Sequence, residues 1–394
     1  MATRAQADAE LQSAGRRRQA TAALYFATVA AYGDMYITQP ILPLLGREFV
    51  VAPATAGLTV FVVVLAIAVA SLLYGPLSDT LGRKPVMVWS SGLLAVPTLL
   101  CAFAPNFATL LLFRALQGLL IPGLTAVAVA YLGDQFSGAH LGAAVGNYIG
   151  ASVAGGLSGR VVGGLIADLI HWRAAFVAFS LWTLLGALLM ARMLPAAAST
   201  GSAPWNAAYR GMLLHFRNRR LVGAFVVGAA LFFAFIGVFT YLPYYLSAPP
   251  FSLPTGVVST VYVVYLAGVL ISPLTGRLSA VVSRRAIMAG GMGIAGIGML
   301  GTLTPWLPLI MVSLVIVCGG NFMAQSTTPA FVNANARTAK GGASALYLTS
   351  FYVGGAAGSI LPGYGWQLWG WIGVVATCLM VVLIGLIANW TLCR

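Results

Sequence analysis

The decapeptide Gly75-Pro76-Leu77-Ser78-Asp79-Thr80-Leu81-Gly82-Arg83-Lys84 decides how the rest of the chain is read. It is the most strongly charged short run inside an apolar body. A long apolar segment ends just before it and another begins just after it. Gly75-Pro76 predicts the end of the first helix, because proline has no N–H to continue the ladder. Gly82 predicts a tight reversal, since glycine reaches positive φ without steric cost. Asp79 and Arg83 stand close enough to pair, or to cap the two helix ends that meet here. From these residues alone, the run is a charged turn between two hydrophobic helices.

Composition says what kind of helices they are. The chain of 394 residues is 60% hydrophobic and 7% charged, too little polar material to cover a soluble domain of this size. It reads as a polytopic membrane protein. A net charge of +14 would suit nucleic acid, but the bases form no single patch, so no nucleic-acid partner is expected. Cys101, Cys318, Cys378 and Cys393 have neither metal-ligand spacing nor a disulfide framework. With three histidines and no cluster of acids, the reading holds no metal, no cofactor and no catalytic set. The chain is not read as an enzyme.

Apolar runs of about 20 residues predict twelve spans. Their limits are Ala22–Leu45, Ala54–Tyr74, Val86–Phe103, Ala108–Leu132, Leu141–Ile166, Ala174–Met193, Leu221–Leu246, Pro254–Thr275, Ala286–Leu303, Leu307–Val332, Gly342–Leu361 and Trp371–Leu392. Of the 21 lysines and arginines, all but four fall on one side of this topology. Arg47 and Arg173 lie on the other, and Arg114 and Arg160 lie inside spans. The asymmetry predicts both termini in the cytoplasm. The apolar segment after Arg16-Arg17-Arg18 is too long for a cleaved signal peptide. The organisation expected is a cytoplasmic tail (1–21), a first bundle (22–193), a cytoplasmic central loop (194–220) and a second bundle (221–394). Within the loop, Tyr209–Arg217 mixes bases with bulky apolar residues, as an interfacial helix would. Gly276–Arg285 repeats the decapeptide 201 positions on (276 against 75), with Ala280 for Asp79 and Ser283 for Gly82. A weak repeat about a central loop is the pattern of a two-half transporter.

The decapeptide also resembles the signature loop between helices 2 and 3 of the major facilitator superfamily, G-x-L-(A/S)-D-x-x-G-R-K, at every fixed position. In that family the loop is a cytoplasmic latch that ties helix ends together in the outward-open state. The resemblance gives that role to Gly75, Asp79, Gly82, Arg83 and Lys84. Arg114-Ala115-Leu116-Gln117-Gly118 resembles the family's second signature, R-x-x-Q-G, whose arginine is tied to proton transfer or substrate charge. Gly159-Arg160-Val161-Val162-Gly163-Gly164 resembles the antiporter motif G-P-x-x-G-G, with Arg160 where proline belongs.

The resemblance implies an all-α polytopic fold with twelve transmembrane helices in two pseudo-symmetric six-helix bundles. These would rock about a midplane site lined by spans 1, 4, 7 and 10. It is nearest to the bacterial drug and sugar proton antiporters. It implies a monomeric secondary transporter of the bacterial inner membrane whose partners are a small-molecule substrate, protons and membrane lipid. Proton-coupled efflux is the function expected. The alternative is proton-coupled uptake of a small organic anion, with Arg114 and Arg160 as its charge partners.

Residues inside the spans carry the candidate chemistry. Asp34 is the only acid near the middle of any span, where a charge is expensive and usually faces a wet cavity or a partner. It reads as the coupling carboxylate, paired with Arg114, or as one half of a structural pair. Pro40 and Pro43 are expected to free carbonyls in the same helix. Arg160 is expected at a depth similar to that of Arg114, completing an anion-attracting cavity, or else snorkelling or pairing with Asp168 at the outer face. Tyr36, Gln39, Gln117, Asn147, Tyr241, Asn321, Gln325 and Tyr347 are further candidates for the substrate cavity, with Tyr262, Tyr265 and Tyr352 as aromatic walls. Two glycine triplets in span 5 (Gly142, Gly146, Gly150 and Gly155, Gly159, Gly163) repeat every four residues and predict smooth packing stripes, as do Gly354 and Gly358 in span 11.

Overall fold

Backbone amides inside a bilayer find no water, so each segment must satisfy its own ladder, and helices do this. The computed structural model describes residues 2–195, 212, 214–336 and 340–394, apart from the side chains of 2–14, 16, 139 and 340. Among these residues every regular element is a helix. Span 1 is Ala2–Tyr36 and spans 2 to 4 are Pro53–Leu81, Arg83–Ala102 and Phe107–Gln135. Spans 5 to 8 are Gly138–Leu169, Trp172–Met193, Arg219–Ser247 and Thr255–Leu278. Span 9 is Arg284–Gly301 and span 10 is Leu307–Asn335. Spans 11 and 12 share the run Lys340–Leu392, which breaks where Trp369 and Gly370 leave helical geometry, Gly370 at φ +57°. Nine helices among the described residues are long and apolar enough to cross a membrane on composition alone. Dividing the last run at its break, and adding spans 1 and 9, completes the twelve.

Three local expectations are corrected. Pro76 does not stop span 2, which runs through it to Leu81. Hydroxyls bind the carbonyls around the proline: Ser78 Oγ donates to Gly75 O at 2.8 Å and Thr80 Oγ1 to Leu77 O at 2.9 Å. The helix ends at Gly82 instead, at φ +90°, a value open to glycine. Pro40 and Pro43 lie past the end of span 1. The helix stops at Tyr36, and a turn over 37–41 leads into a short helix, Leu42–Glu48. Proline disfavours helical geometry in the residue before it, which is Gln39. As for the interfacial helix, Tyr209, Arg210, Gly211 and Leu213 lie outside the described residues, and Leu214–Arg217 is one 3-10 turn.

Side chains tie one face together. Arg83 contacts Asp134 and Ala130 O at the end of span 4, and Lys84 donates to Leu194 O at 2.5 Å, just past span 6. Arg220, opening span 7, donates to Arg394 O at 2.5 Å, and Arg285, opening span 9, donates to Trp390 O at 2.9 Å. The start of span 1 joins them, Arg17 and Arg18 standing beside Phe136 and His140, and this is the chain-end face. Towards the opposite face the two halves meet, span 2 against span 11 and span 5 against span 8. Gly57 and Gly363 allow close approach there: a methyl on Gly363 would lie 2.7 Å from Ala54 Cα.

Candidate functional site

A cavity of about 250 Å³ lies between the halves. Spans 1 and 5 contribute Tyr32, Tyr36, Ser152, Val153, Gly156 and Arg160. Spans 7, 8, 10 and 11 contribute Phe232, Phe235, Tyr265, Phe322, Gln325, Leu348, Phe351 and Tyr352. The cavity is sealed toward the opposite face. Gln39 Nε2 donates to Thr240 Oγ1 at 3.0 Å, and Tyr244 OH donates to Leu42 O at 3.0 Å, each bond crossing from one half to the other. Toward the chain-end face no described residue covers span 5: none has an atom within 4 Å of a methyl placed at Gly142, Gly146 or Gly150. Among the described residues, that first triplet therefore packs against no helix in this structure. The second one packs on span 1: a methyl on Gly155 would lie 2.6 Å from Val29 O, and one on Gly159 would strike Gly33 O. Gly354 and Gly358 lie against the backbone of span 7 at Ala229 and Phe233.

Arg160 is the charged residue of the cavity. It is 1% exposed, although it sits where the resembled motif has proline. Its Nε donates to Gln39 Oε1 at 2.6 Å and its Nη1 to Gly156 O at 2.7 Å. The guanidinium carbon lies 3.8 Å from the centre of the Tyr36 ring, 4.6 Å from Tyr265 and 5.5 Å from Tyr262. These aromatic faces partly offset the cost of burying a cation. Arg160 neither snorkels nor pairs with Asp168, whose carboxylate lies beside Gly256. Among the described residues it has no carboxylate partner, and the Tyr36 side chain is its further hydrogen-bonding neighbour. The guanidinium thus keeps unspent donors at a cavity wall, in a fork that matches a carboxylate.

Arg114 is elsewhere. It is fully buried inside the first half and donates to Thr59 O (3.1 Å), Asp34 O and Gln117 Oε1 (2.7 Å each), Met35 O (2.9 Å) and Thr38 Oγ1 (3.5 Å). It caps carbonyls at the end of span 1 and does not line the cavity. Asp34 and Arg114 form no direct ion pair among the described residues: the arginine hydrogen-bonds the Asp34 backbone, and its charge acts on the nearby carboxyl without contact. The Asp34 side chain turns to span 6, where Oδ2 accepts from Thr183 Oγ1 at 2.8 Å, and Oδ1 has no hydrogen-bond partner among the described residues. Gln117 donates to Thr98 Oγ1 at 2.7 Å and belongs to this buried network.

The other expected cavity residues scatter. Tyr36 and Gln325 line the cavity, and Gln39 closes its end. Asn321 donates to Gln325 Oε1 at 3.4 Å from just behind the wall. Tyr241 belongs to the seal, its hydroxyl donating to Ser359 O at 2.8 Å. Tyr347 packs over Gly228, and Asn147 is exposed on span 5 outside the lining. In the last turn of span 2, Asp79 lies 3.8 Å from Arg83, the first residue of span 3, which is also bound to Asp134. These latch contacts stay within the first half. Sequence reasoning missed Phe232, Phe235, Phe322 and Phe351. The signal available was Phe232 and Phe235 in span 7, which share a helix face three residues apart.

The comparisons agree with this architecture. The family model described as Major Facilitator Superfamily matches residues 24–271. The chain belongs to that superfamily. It is 33% identical over 377 residues to the inner membrane transport protein YnfM of Escherichia coli, covering 95% of this chain and 90% of that one. It is 31% identical to the uncharacterized MFS-type transporter YybF of Bacillus subtilis, covering 95% and 92%. Among solved structures it is similar to the nucleoside transporter NupG, with a TM-score of 0.80 at 15% identity, covering 96% of this chain and 100% of that one. A bacterial homologue of the lysosomal transporter Spinster, inward-facing and occupied, gives 0.76 at 16% identity, covering 95% of each chain. At such identities these two structures show the fold alone. The chain is thus a multi-pass membrane transporter of the superfamily, not an enzyme.

Proposed function

We propose that this transporter takes up a small organic monocarboxylate with an apolar body, together with protons. The observation that carries the reading is Arg160, a buried guanidinium with unspent donors and no carboxylate partner among the described residues. The rest of the described lining is mostly aromatic and holds no other charge. One cation and apolar walls suit one carboxylate on an apolar body.

Proton-exchange efflux, the function first expected, lets substrate and proton compete for one cavity. That scheme needs an acid in the lining, and among the described lining residues there is none. Uptake of an anion against an inside-negative potential costs about 2.3 kcal/mol per charge per 100 mV. A co-transported proton offsets that cost, whereas export of the same anion would need none. Asp34 is the coupling residue in this reading. The bare Oδ1 of its buried carboxylate is where a proton fits.

In this reading the chain-end face is cytoplasmic and the structure is inward-open. The loop carrying Asp79, Arg83 and Lys84 engages the second half only in the outward-open state. Residues 22–193 and 221–394 move as the two bodies, in a monomer of the bacterial inner membrane.

Titration of purified protein with benzoate and with benzyl alcohol, a matched neutral ligand, tests the site. Arg160→Gln should weaken benzoate by about tenfold to a hundredfold, the worth of charge-assisted bonds, and leave the alcohol nearly unchanged. Equal loss for both would remove Arg160 from the substrate site. Asp34→Asn should abolish proton-driven accumulation of benzoate in vesicles while retaining exchange. Full accumulation by that variant would place coupling elsewhere.

A further inference from the structure

Gln39 and Thr240 stand 201 positions apart, the same offset that relates the two repeated loops. They come one from each half, and they meet in a direct side-chain hydrogen bond of 3.0 Å at the sealed end of the cavity. Both are fully buried. The other end of the Gln39 amide is committed as well, because Oε1 accepts from Arg160 Nε at 2.6 Å. A three-member relay, Arg160 to Gln39 to Thr240, thus runs from the cavity cation to the opposite half.

We infer that Gln39 is the internal occupant of Arg160, and that a carboxylate displacing it unlocks the seal toward the opposite face. The inference rests on the anion reading of Arg160. A guanidinium offers a carboxylate two bidentate edges, Nη1/Nη2 at its end and Nε/Nη2 at its side. The end-on edge is partly taken by Gly156 O, a helix carbonyl fixed in span 5. The side-on edge is taken by Gln39, a rotatable side chain. The incoming carboxylate therefore replaces Gln39. That exchange is favourable, since a carboxylate adds opposite-charge attraction and a bidentate fit that the neutral amide lacks.

Released Gln39 keeps only its neutral bond to Thr240. It has lost the anchor that oriented it, so the link between spans 1 and 7 weakens. With the cavity empty, the relay holds the opposite face closed. With a carboxylate on Arg160, the same residues favour opening. Gln39 is thus a positioning residue that couples occupancy to alternating access. A ligand shifts such an equilibrium only through unequal affinity for the two states, and the competition for Arg160 supplies that difference.

The test reads access to the opposite face. Ser259 is fully buried where span 8 meets span 5 at Gly164, and Ser259→Cys places a thiol there. The four native cysteines are replaced by alanine. In membranes without ligand, Gln39→Leu and Thr240→Val should each raise the labelling rate by about fivefold or more. The double variant should add little, because both cut one relay. Benzoate should raise labelling in the parent protein and have no effect in the Gln39→Leu background. Benzoate should also bind Gln39→Leu at least as tightly as the parent, since its competitor is gone. Parent-like labelling of both single variants without ligand would overturn the relay, whatever benzoate does. Weaker benzoate binding by Gln39→Leu would overturn the competition. If benzoate fails to bind the parent protein, the anion reading falls, while the ligand-free arm still decides whether the relay locks the seal.

Discussion

Arg114 and Arg160 are both fully buried arginines in the first half, and they are spent in different ways. A guanidinium has five N–H groups. Arg114 makes five hydrogen bonds, three of them to backbone carbonyls where span 1 ends and span 2 begins. Arg160 bonds one helix carbonyl and one side-chain amide, and its other neighbours are tyrosines, Tyr36 and Tyr265. Burial is equal, so burial does not tell a structural cation from a ligand-binding one. The count of unspent donors does, because a saturated guanidinium must break a bond to take a ligand.

The comparison breaks most visibly in stability. Arg114→Gln strands the carbonyls of Asp34, Met35 and Thr59 in a dry interior. Losing one side of a buried charged network costs about 3–5 kcal/mol. Thermal unfolding in detergent should show a large drop in Tm, with ligand preference retained in whatever protein folds. Arg160→Gln removes a charge that lacks a counter-ion, and should change stability by about 1 kcal/mol or less, in either direction. If the two variants exchanged these outcomes, the assignments of scaffold and site would exchange with them.

The two glycine triplets of span 5 sharpen the same contrast at smaller scale. A methyl on Gly159 meets the Gly33 backbone, which cannot turn aside. Gly159→Ala should therefore cost about 1–3 kcal/mol, as overpacking does. No described residue stands in front of Gly146, and Gly146→Ala should stay within about 0.5 kcal/mol of wild type. A large loss at Gly146 would mean that something covers the chain-end half of span 5.

The two halves of span 5 look alike in sequence, since four-residue glycine spacing reports a smooth face and not what faces it. The same limit explains which parts of the site were legible. The fold was: twelve apolar runs, the charge asymmetry and the Gly75–Lys84 loop each point to it from local composition. Arg160 was legible as a base out of place in a motif. Its partners were not, because Tyr265 and Gln39 come to it from different helices, and helix rotation is set by packing. Asp34 was legible as an acid in a span. That Arg114 takes its carbonyl and not its carboxylate was hidden, because it follows from where the helix ends, at Tyr36 and not past Pro43. The phenylalanine wall was visible only as ordinary hydrophobic content.

At the opposite face the smallest contrast is with an exposed pair. Arg173 Nη1 donates to Glu48 Oε1 at 2.7 Å, with both side chains 36% exposed. That hydrogen bond, helped by the guanidinium charge, holds the Glu48 carboxyl below its ordinary range. A carboxyl with a depressed folded pKa stabilises the protein above its unfolded pKa, and that contribution is lost as pH falls through the folded value. Water screens the pair, so Glu48→Gln should lower stability near neutral pH by less than about 1 kcal/mol. The gap between wild type and variant should close on acidification, as wild-type Glu48 takes up its proton, and should narrow in high salt. The measurement is the difference in Tm between the two proteins at neutral and at acid pH. A difference that persists in acid would assign the effect to packing at the end of the short helix, and would leave this arginine, unlike Arg114, without an energetic role of its own.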